Sequence, residues 1–532
     1  MRGACALAGV AVLAVVGAGV PTPAAVAADG GHGGPDLSRF YSQKIEWAAC
    51  EGETEAMAEG AGGAKDVKCG HVEVPVDYAR PAAGTVDLAM IRMKSSSTGK
   101  PRGSLLLNFG GPGGPGVSAL AGSQKDFSFL SKEYDVVSFD PRGVGESAPV
   151  TCGDTGMGAG AIQGGPGTGT DDPAAVLAEL RKDAAICAEK SGPVLEHMGT
   201  VNVSRDLDVM RQALGDKKLN YLGFSYGTRI GAVYSAQFPK NVGRMVLDGV
   251  DTLTEPIAEQ QRVTAEGRQT ALDHFLSWCT RNPGCVFGTD ARSARQSMRQ
   301  IIEDLDKMPL QAMDGAQFSG QDVVGVLGQA LYSRQAWPAL SQALGALLAD
   351  GDPRALLRMS GGLGGAVRGA LPPAVRRGRD AVPMDNMTSA LMAVNCADDP
   401  DRPDAARIEK EVGRLQREFE EASPVFGRSM LMPVLLCFGR PPGTDYIRKS
   451  VRDVSSPELL LVGTRGDPAT PYRWTVETAR RLGSQAIVLD NKGDGHTGYL
   501  GSKCVHDKVD GFLLYGEMPA NGSSCPANPA EE

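Results

Sequence analysis

The chain has 532 residues, more than the roughly 250–300 at which one hydrophobic core stops growing, so a main domain with a second unit is expected. Apolar residues make up 42% and charged residues 22%, a globular balance that excludes wholesale disorder. The net charge of −9 comes without a long block of like charge, which excludes a nucleic-acid footprint; the cluster Arg376, Arg377 and Arg379 reads as a solvated loop.

Residues 1–27 carry the three parts of a secretory leader: Arg2, an apolar run over 6–20, and the small-residue site Ala25-Val26-Ala27. That run is short for a bilayer crossing, and no later stretch is long and uncharged enough, so a soluble exported product is expected. Cys5 leaves with the leader, and ten cysteines remain. In an oxidising compartment an even set reads as disulfides rather than metal ligands. Pairing in sequence order closes modest loops: Cys50–Cys69, Cys152–Cys187, Cys279–Cys285, Cys396–Cys437 and Cys504–Cys525. The Asn-Pro-Gly turn makes the third of these the safest.

Two alternating segments, 71–78 and 86–93, predict an antiparallel pair. Compact apolar strands follow at 104–109, 134–139, 220–224 and 244–250, with helices at 173–190 and 203–214. Residues 153–172 are rich in Gly and Thr, have no period and read as a surface loop. From 254 to 450 the strand pattern stops and helical periodicity replaces it, as at 294–307 and 338–350, with Gly/Pro loops such as 361–373. Strands resume at 458–463 and 485–489, and a last helix spans 503–515. The reading is an α/β protein with a mostly parallel eight-strand sheet, built from 28–253 and 451–532 around a helical insertion over 254–450.

The strongest local signal is Gly223-Phe224-Ser225-Tyr226-Gly227, between a strand and the helical run 228–237. A serine on so sharp a turn is exposed on a strained backbone, and the next helix points its positive end at the hydroxyl. The hydroxyl needs a base, and of six histidines only His496 and His506 lie past the final strands. His496 sits on the turn Gly493-Asp494-Gly495-His496-Thr497-Gly498 and is chosen; His506 falls inside the last helix. Asp467, in Gly466-Asp467-Pro468 past the penultimate strand, is the orienting acid, with Asp248 as its rival and Thr470 as a brace. The glycine-rich run 110–116 supplies oxyanion donors: Gly111, paired with the N–H of Tyr226. It has neither the Gly-Lys-Ser/Thr ending of a phosphate loop nor a dinucleotide fingerprint. Residues 140–147 read as a scaffold loop whose Asp140 and Arg142 hold neighbouring turns.

Together these segments resemble the α/β-hydrolase fold and, within it, the prolyl aminopeptidase group of serine peptidases. The shared motifs are Gly-Gly-Pro-Gly at 110–113, Asp-x-Arg-Gly-x-Gly-x-Ser at 140–147, and the Gly-x-Ser-Tyr-Gly elbow. Single-residue prolyl aminopeptidases usually have His before Gly-Gly-Pro-Gly, where this chain has Phe109. That departure, the leader, the cysteines and the block from Asp467 to Tyr499 are more similar to secreted bacterial tripeptidyl aminopeptidases. The resemblance implies serine-dependent release of short peptides from free N-termini by a monomer, without metal or organic cofactor and away from membranes and nucleic acid. It also implies a carboxylate for the substrate ammonium, for which Asp398 in Asn395-Cys396-Ala397-Asp398-Asp399-Pro400 is the candidate. Three other readings use the same scaffold: a secreted esterase or lipase, a single-residue prolyl aminopeptidase, and a non-catalytic binding protein.

Overall fold

The computed structural model describes residues 35–61, 67–153, 173–311, 317–359 and 382–527. The leader at 1–27, most of the segment 153–172, the loop 361–373 and the arginine cluster at 376–379 lie outside the described residues.

Among the described residues ten strands form the main sheet: β1 (Ala48–Ala49), β2 (Val67–Pro75), β3 (Thr85–Met93), β4 (Ser104–Asn108), β5 (Asp135–Phe139), β6 (Leu219–Phe224), β7 (Val242–Asp248), β8 (Leu459–Gly466), β9 (Ala486–Asp494) and β10 (Ser523–Cys525). Their order is β1-β2-β3-β5-β4-β6-β7-β8-β9-β10. From β5 to β10 every neighbouring pair is parallel, while β1, β2 and β3 join antiparallel at one edge. The eight expected strands are β2 to β9. The two additional ones are single edge strands of two and three residues, too short for alternation to register in a sequence. Each ends beside a disulfide, Cys50–Cys69 at one edge and Cys504–Cys525 at the other. Cys152–Cys187, Cys279–Cys285 and Cys396–Cys437 also form, so all five bridges follow sequence order.

Successive residues of a strand face opposite sides, and here both sides are covered. Leu106, Val137, Tyr221, Leu247 and Leu461 enter one core. Their chain neighbours Leu105, Val136, Leu222, Val246 and Leu460 enter the other. Helices α1 (Pro173–Ser191), α2 (Thr200–Ala213) and α3 (Tyr226–Gln237) precede β7.

Between β7 and β8 the regular structure of the described chain is helical, with α4 (Ile257–Cys279), α5 (Ala291–Lys307), α6 (Gly320–Ala330), α7 (Trp337–Asp350), α8 (Asn386–Asp398) and α9 (Ala405–Ala422), apart from a small antiparallel pair of Leu310–Gln311 with Gln317–Phe318. Asp290 caps α5 by accepting from Ser293 N–H, and Ser319 with Asp322 forms a capping box on α6. Phe275, Met298, Leu327, Trp337 and Phe426 pack into a separate apolar cluster. Helix α4 lies against the loop after β8: a Cβ on Gly267 would stand 3.2 Å from the Asp467 carbonyl oxygen. The last helices are α10 (Tyr472–Leu482) and α11 (Lys503–Asp510), which ends in a short π-helical turn, Gly511–Tyr515. No helix among the described residues is long and apolar enough to cross a membrane.

Candidate active site

Ser225 joins β6 directly to α3 and holds φ +55° and ψ −125°, a conformation that costs a non-glycine residue about 1–3 kcal/mol. Three hydrogen bonds fix it there. Its N–H donates to the Asp248 carbonyl at 2.9 Å, and its own carbonyl accepts from Thr228 N–H at 2.8 Å and Thr228 Oγ1 at 2.6 Å. The glycine-rich loop after β4 passes hard against it: a Cβ on Gly110 would meet Phe224 O at 2.6 Å and Ser225 Cβ at 2.9 Å. Phe109 stacks on Phe224 at 6.0 Å and meets Phe127 edge-on at 5.8 Å, forming an aromatic floor under the turn.

The imidazole and its acid come from the ends of β8 and β9. His496 Nδ1 stands 2.9 and 3.0 Å from the two carboxylate oxygens of Asp467. Asp467 also accepts from Ala469 N–H and Thr470 N–H, both at 2.8 Å, from Thr470 Oγ1 at 2.9 Å and from Thr497 N–H at 3.0 Å. Burial works against its charge, but the His496 partner and these donors win and hold the carboxyl below its usual range. The same burial disfavours the imidazolium, yet the Asp467 charge and hydrogen bond raise His496 above its ordinary value. Thr470 is the brace expected of it. His506 instead pairs with Asp510 at 3.2 Å and stacks on Tyr499 with ring centroids 4.3 Å apart.

Asp248, the rival acid, has a different partner set. Its buried carboxylate accepts from Gly498 N–H at 2.8 and 3.0 Å and from Tyr499 N–H at 2.7 Å, gripping the chain just past His496. Burial pushes this carboxyl up to about 6 despite those donors. One residue thus ties the two halves of the site together, since its main chain holds Ser225 and its side chain holds the histidine loop. Among the described residues the Ser225 hydroxyl has no hydrogen-bond partner, and the N–H groups of Gly111 and Tyr226 have no acceptor. A Cβ on Gly110 would lie 3.3 Å from Tyr226 N, which sets the glycine loop beside that N–H.

The scaffold loop behaves as read. Asp140 accepts from Val117 N–H and Glu146 N–H, both at 2.9 Å, and burial pushes it up to about 7. Arg142 is fully buried and forked onto Asp206 at 2.6 and 2.7 Å.

The carboxylate expected to meet a substrate ammonium is otherwise engaged. Asp398, 7% exposed, accepts from Thr200 N–H at 2.8 Å, Thr200 Oγ1 at 2.5 Å and Arg229 at 3.2 Å. With its one proton on Asp398, the Thr200 hydroxyl receives the Tyr226 hydroxyl at 2.8 Å. Arg229 reaches Asp251 as well, at 2.8 Å. The chain Tyr226–Thr200–Asp398–Arg229 is therefore a buried pillar under the residue after the serine, with its charge already paired inside the protein. An acidic pair beside a cysteine marked the position in the sequence; the arginine that neutralises it lies 169 residues away.

Sheet order, strained serine and imidazole–carboxylate pair define a serine hydrolase. Residues 105–349 match the family model described as alpha/beta hydrolase fold, and 423–525 match that described as TAP-like protein. The chain belongs to the α/β-hydrolase family. It is 33% identical over 506 residues to serine protease Hip1 of Mycobacterium tuberculosis, covering 91% of each chain. It is 31% identical over 494 residues to the tripeptidyl aminopeptidase of Streptomyces lividans, covering 90% of this chain and 86% of that one. Carboxylesterase B of M. tuberculosis is 31% identical over 476 residues, covering 87% and 86%.

Proposed function

We propose that the protein is an exported serine exopeptidase releasing short peptides, tripeptides foremost, from free N-termini through an acyl-enzyme on Ser225. The observation that carries this reading is the Asp467–His496 pair at 2.9 Å, tied through Asp248 to a serine held at φ +55°. Similarity to a tripeptidyl aminopeptidase over 90% of the chain supports the peptide substrate. Five disulfides and the leader motif support export.

In this mechanism substrate binding brings the Ser225 hydroxyl into contact with His496 Nε2; such hydrogen bonds are often long before substrate arrives. The hydroxyl oxygen adds to the scissile carbonyl carbon while its proton passes to Nε2. Asp467 holds Nδ1–H and stabilises the imidazolium. The developing oxyanion is met by the N–H groups of Gly111 and Tyr226, the latter fixed by its pillar. The carbon–nitrogen bond breaks as His496 returns the proton to the leaving amine. Water then repeats the sequence on the ester, and the carboxylic acid leaves. We assign Asp398 to positioning Tyr226.

The test is product analysis by mass spectrometry on a mixture of unblocked peptides. Stepwise loss of three residues, with N-acetylated copies untouched, is the expected result; single-residue release overturns the tripeptide assignment, and endoproteolysis overturns the exopeptidase assignment altogether. Similarity to a carboxylesterase favours one second reading, ester hydrolysis. Matched ester and amide substrates separate the two, because an esterase leaves the amide intact.

A further inference from the structure

Tyr332 follows helix α6 on the loop that meets the histidine turn. Its ring lies edge-on to the His496 imidazole, with centroids 5.0 Å apart and planes at 70°. The main chain makes the structural link by itself: His496 N–H donates to the Tyr332 carbonyl at 2.8 Å. Gly495 runs so close that a Cβ there would stand 3.0 Å from the same oxygen. The ring is therefore not needed to anchor the loop, and it is 39% exposed, so one of its faces is open to a ligand.

Proton balance says what lies beside it. The proton that Ser225 gives to His496 must go to the departing nitrogen, so the leaving group sits on the imidazole side of the scissile carbonyl. Resting on the catalytic roles proposed above, we propose that Tyr332 forms the wall of the leaving-group subsite. It contacts the side chain of the first residue after the scissile bond and favours an apolar or aromatic one.

The acyl-enzyme reports on this subsite directly. An added amino-acid amide can replace water: its amine nitrogen attacks the Ser225 ester, its proton passes to His496, and Ser225 departs with that proton, giving a lengthened peptide amide. By microscopic reversibility the acceptor binds where the leaving group departs. The experiment uses an unblocked tripeptidyl ester as donor, with phenylalaninamide, leucinamide and glycinamide as acceptors. It reads the ratio of peptide amide to free acid, which is internal to one acyl-enzyme, so a general loss of activity cancels. Wild type should favour phenylalaninamide over glycinamide on the order of tenfold. Tyr332→Ala should bring the two to near parity, and Tyr332→Phe should keep the preference. An unchanged preference in Tyr332→Ala, or none in wild type, overturns the subsite. Fluorophosphonate labelling mapped in the same preparations keeps the two failures apart. A label on Ser225 with no effect at Tyr332 sinks the subsite alone, whereas no label on Ser225 sinks the catalytic reading and the subsite with it.

Discussion

Asp467→Asn is the substitution with the most to reveal about the site. The carboxylate accepts from His496 Nδ1 at 2.9 Å and from four further donors, so both oxygens are occupied. An amide of the same shape keeps one acceptor but turns an NH2 toward a ring of donors. It also removes the charge that stabilises the imidazolium and lets the imidazole take the tautomer that cannot accept the Ser225 proton. Serine hydrolases that lose this interaction with their geometry intact fall by about 10⁴ in kcat, or about 5 kcal/mol of barrier. The pH profile should move too. Burial alone would hold the imidazole's pKa down, but the Asp467 charge raises it above the ordinary 6.5. Because the general base must be neutral, the acid limb of kcat/KM in wild type should lie above that value and shift downward in Asp467→Asn. The assay is hydrolysis of an unblocked tripeptidyl p-nitroanilide from about pH 5 to about pH 9. Asp248→Asn serves as comparator, since among the described residues that carboxylate accepts from Gly498 and Tyr499 N–H and not from the imidazole. Activity within tenfold of wild type for Asp467→Asn, or an acid limb that does not move, would refute the reasoning.

Three further outcomes are expected. Gly110→Ala drives a methyl to 2.6 Å from Phe224 O and should cost on the order of 100-fold in kcat/KM, because the glycine loop must back away from the serine; near-normal turnover would contradict the packing. Asp206→Ala strands the buried Arg142 and should lower unfolding free energy by about 3–5 kcal/mol in urea titrations, against less than 1 kcal/mol if the pair is dispensable. Asp398→Asn should lower kcat alike for unblocked tripeptidyl esters and amides if it braces Tyr226; a rise in KM with kcat unchanged would return it to the ammonium-binding role.

Much of this was legible in the sequence because the governing patterns are local. Strand–Gly-x-Ser-x-Gly–helix is a contiguous signal, and β4 to β7 read as short apolar runs ended by turn residues. What escaped depends on distant partners. Residues 458–463 and 485–489 marked the last strands, yet β8 runs on to Gly466 and β9 to Asp494, paired again after a bulge past Thr464. The turns bearing Asp467 and His496, which look like loose Gly/Asp segments, are thereby gripped by the sheet itself. Asp248 reads as a spare acid until Gly498 and Tyr499 are seen to fold onto it from 250 residues away. Tyr332 lies in a helical insertion whose periodicity shows its core but not which exposed ring faces the site.

The most direct measurement is peptide mapping of the trapped acyl-enzyme after rapid acid quench with a slowly deacylating tripeptidyl ester. The account predicts one tripeptidyl adduct per chain, on the peptide containing Ser225, absent from Ser225→Ala. An adduct on another residue, or full turnover by Ser225→Ala, would contradict it.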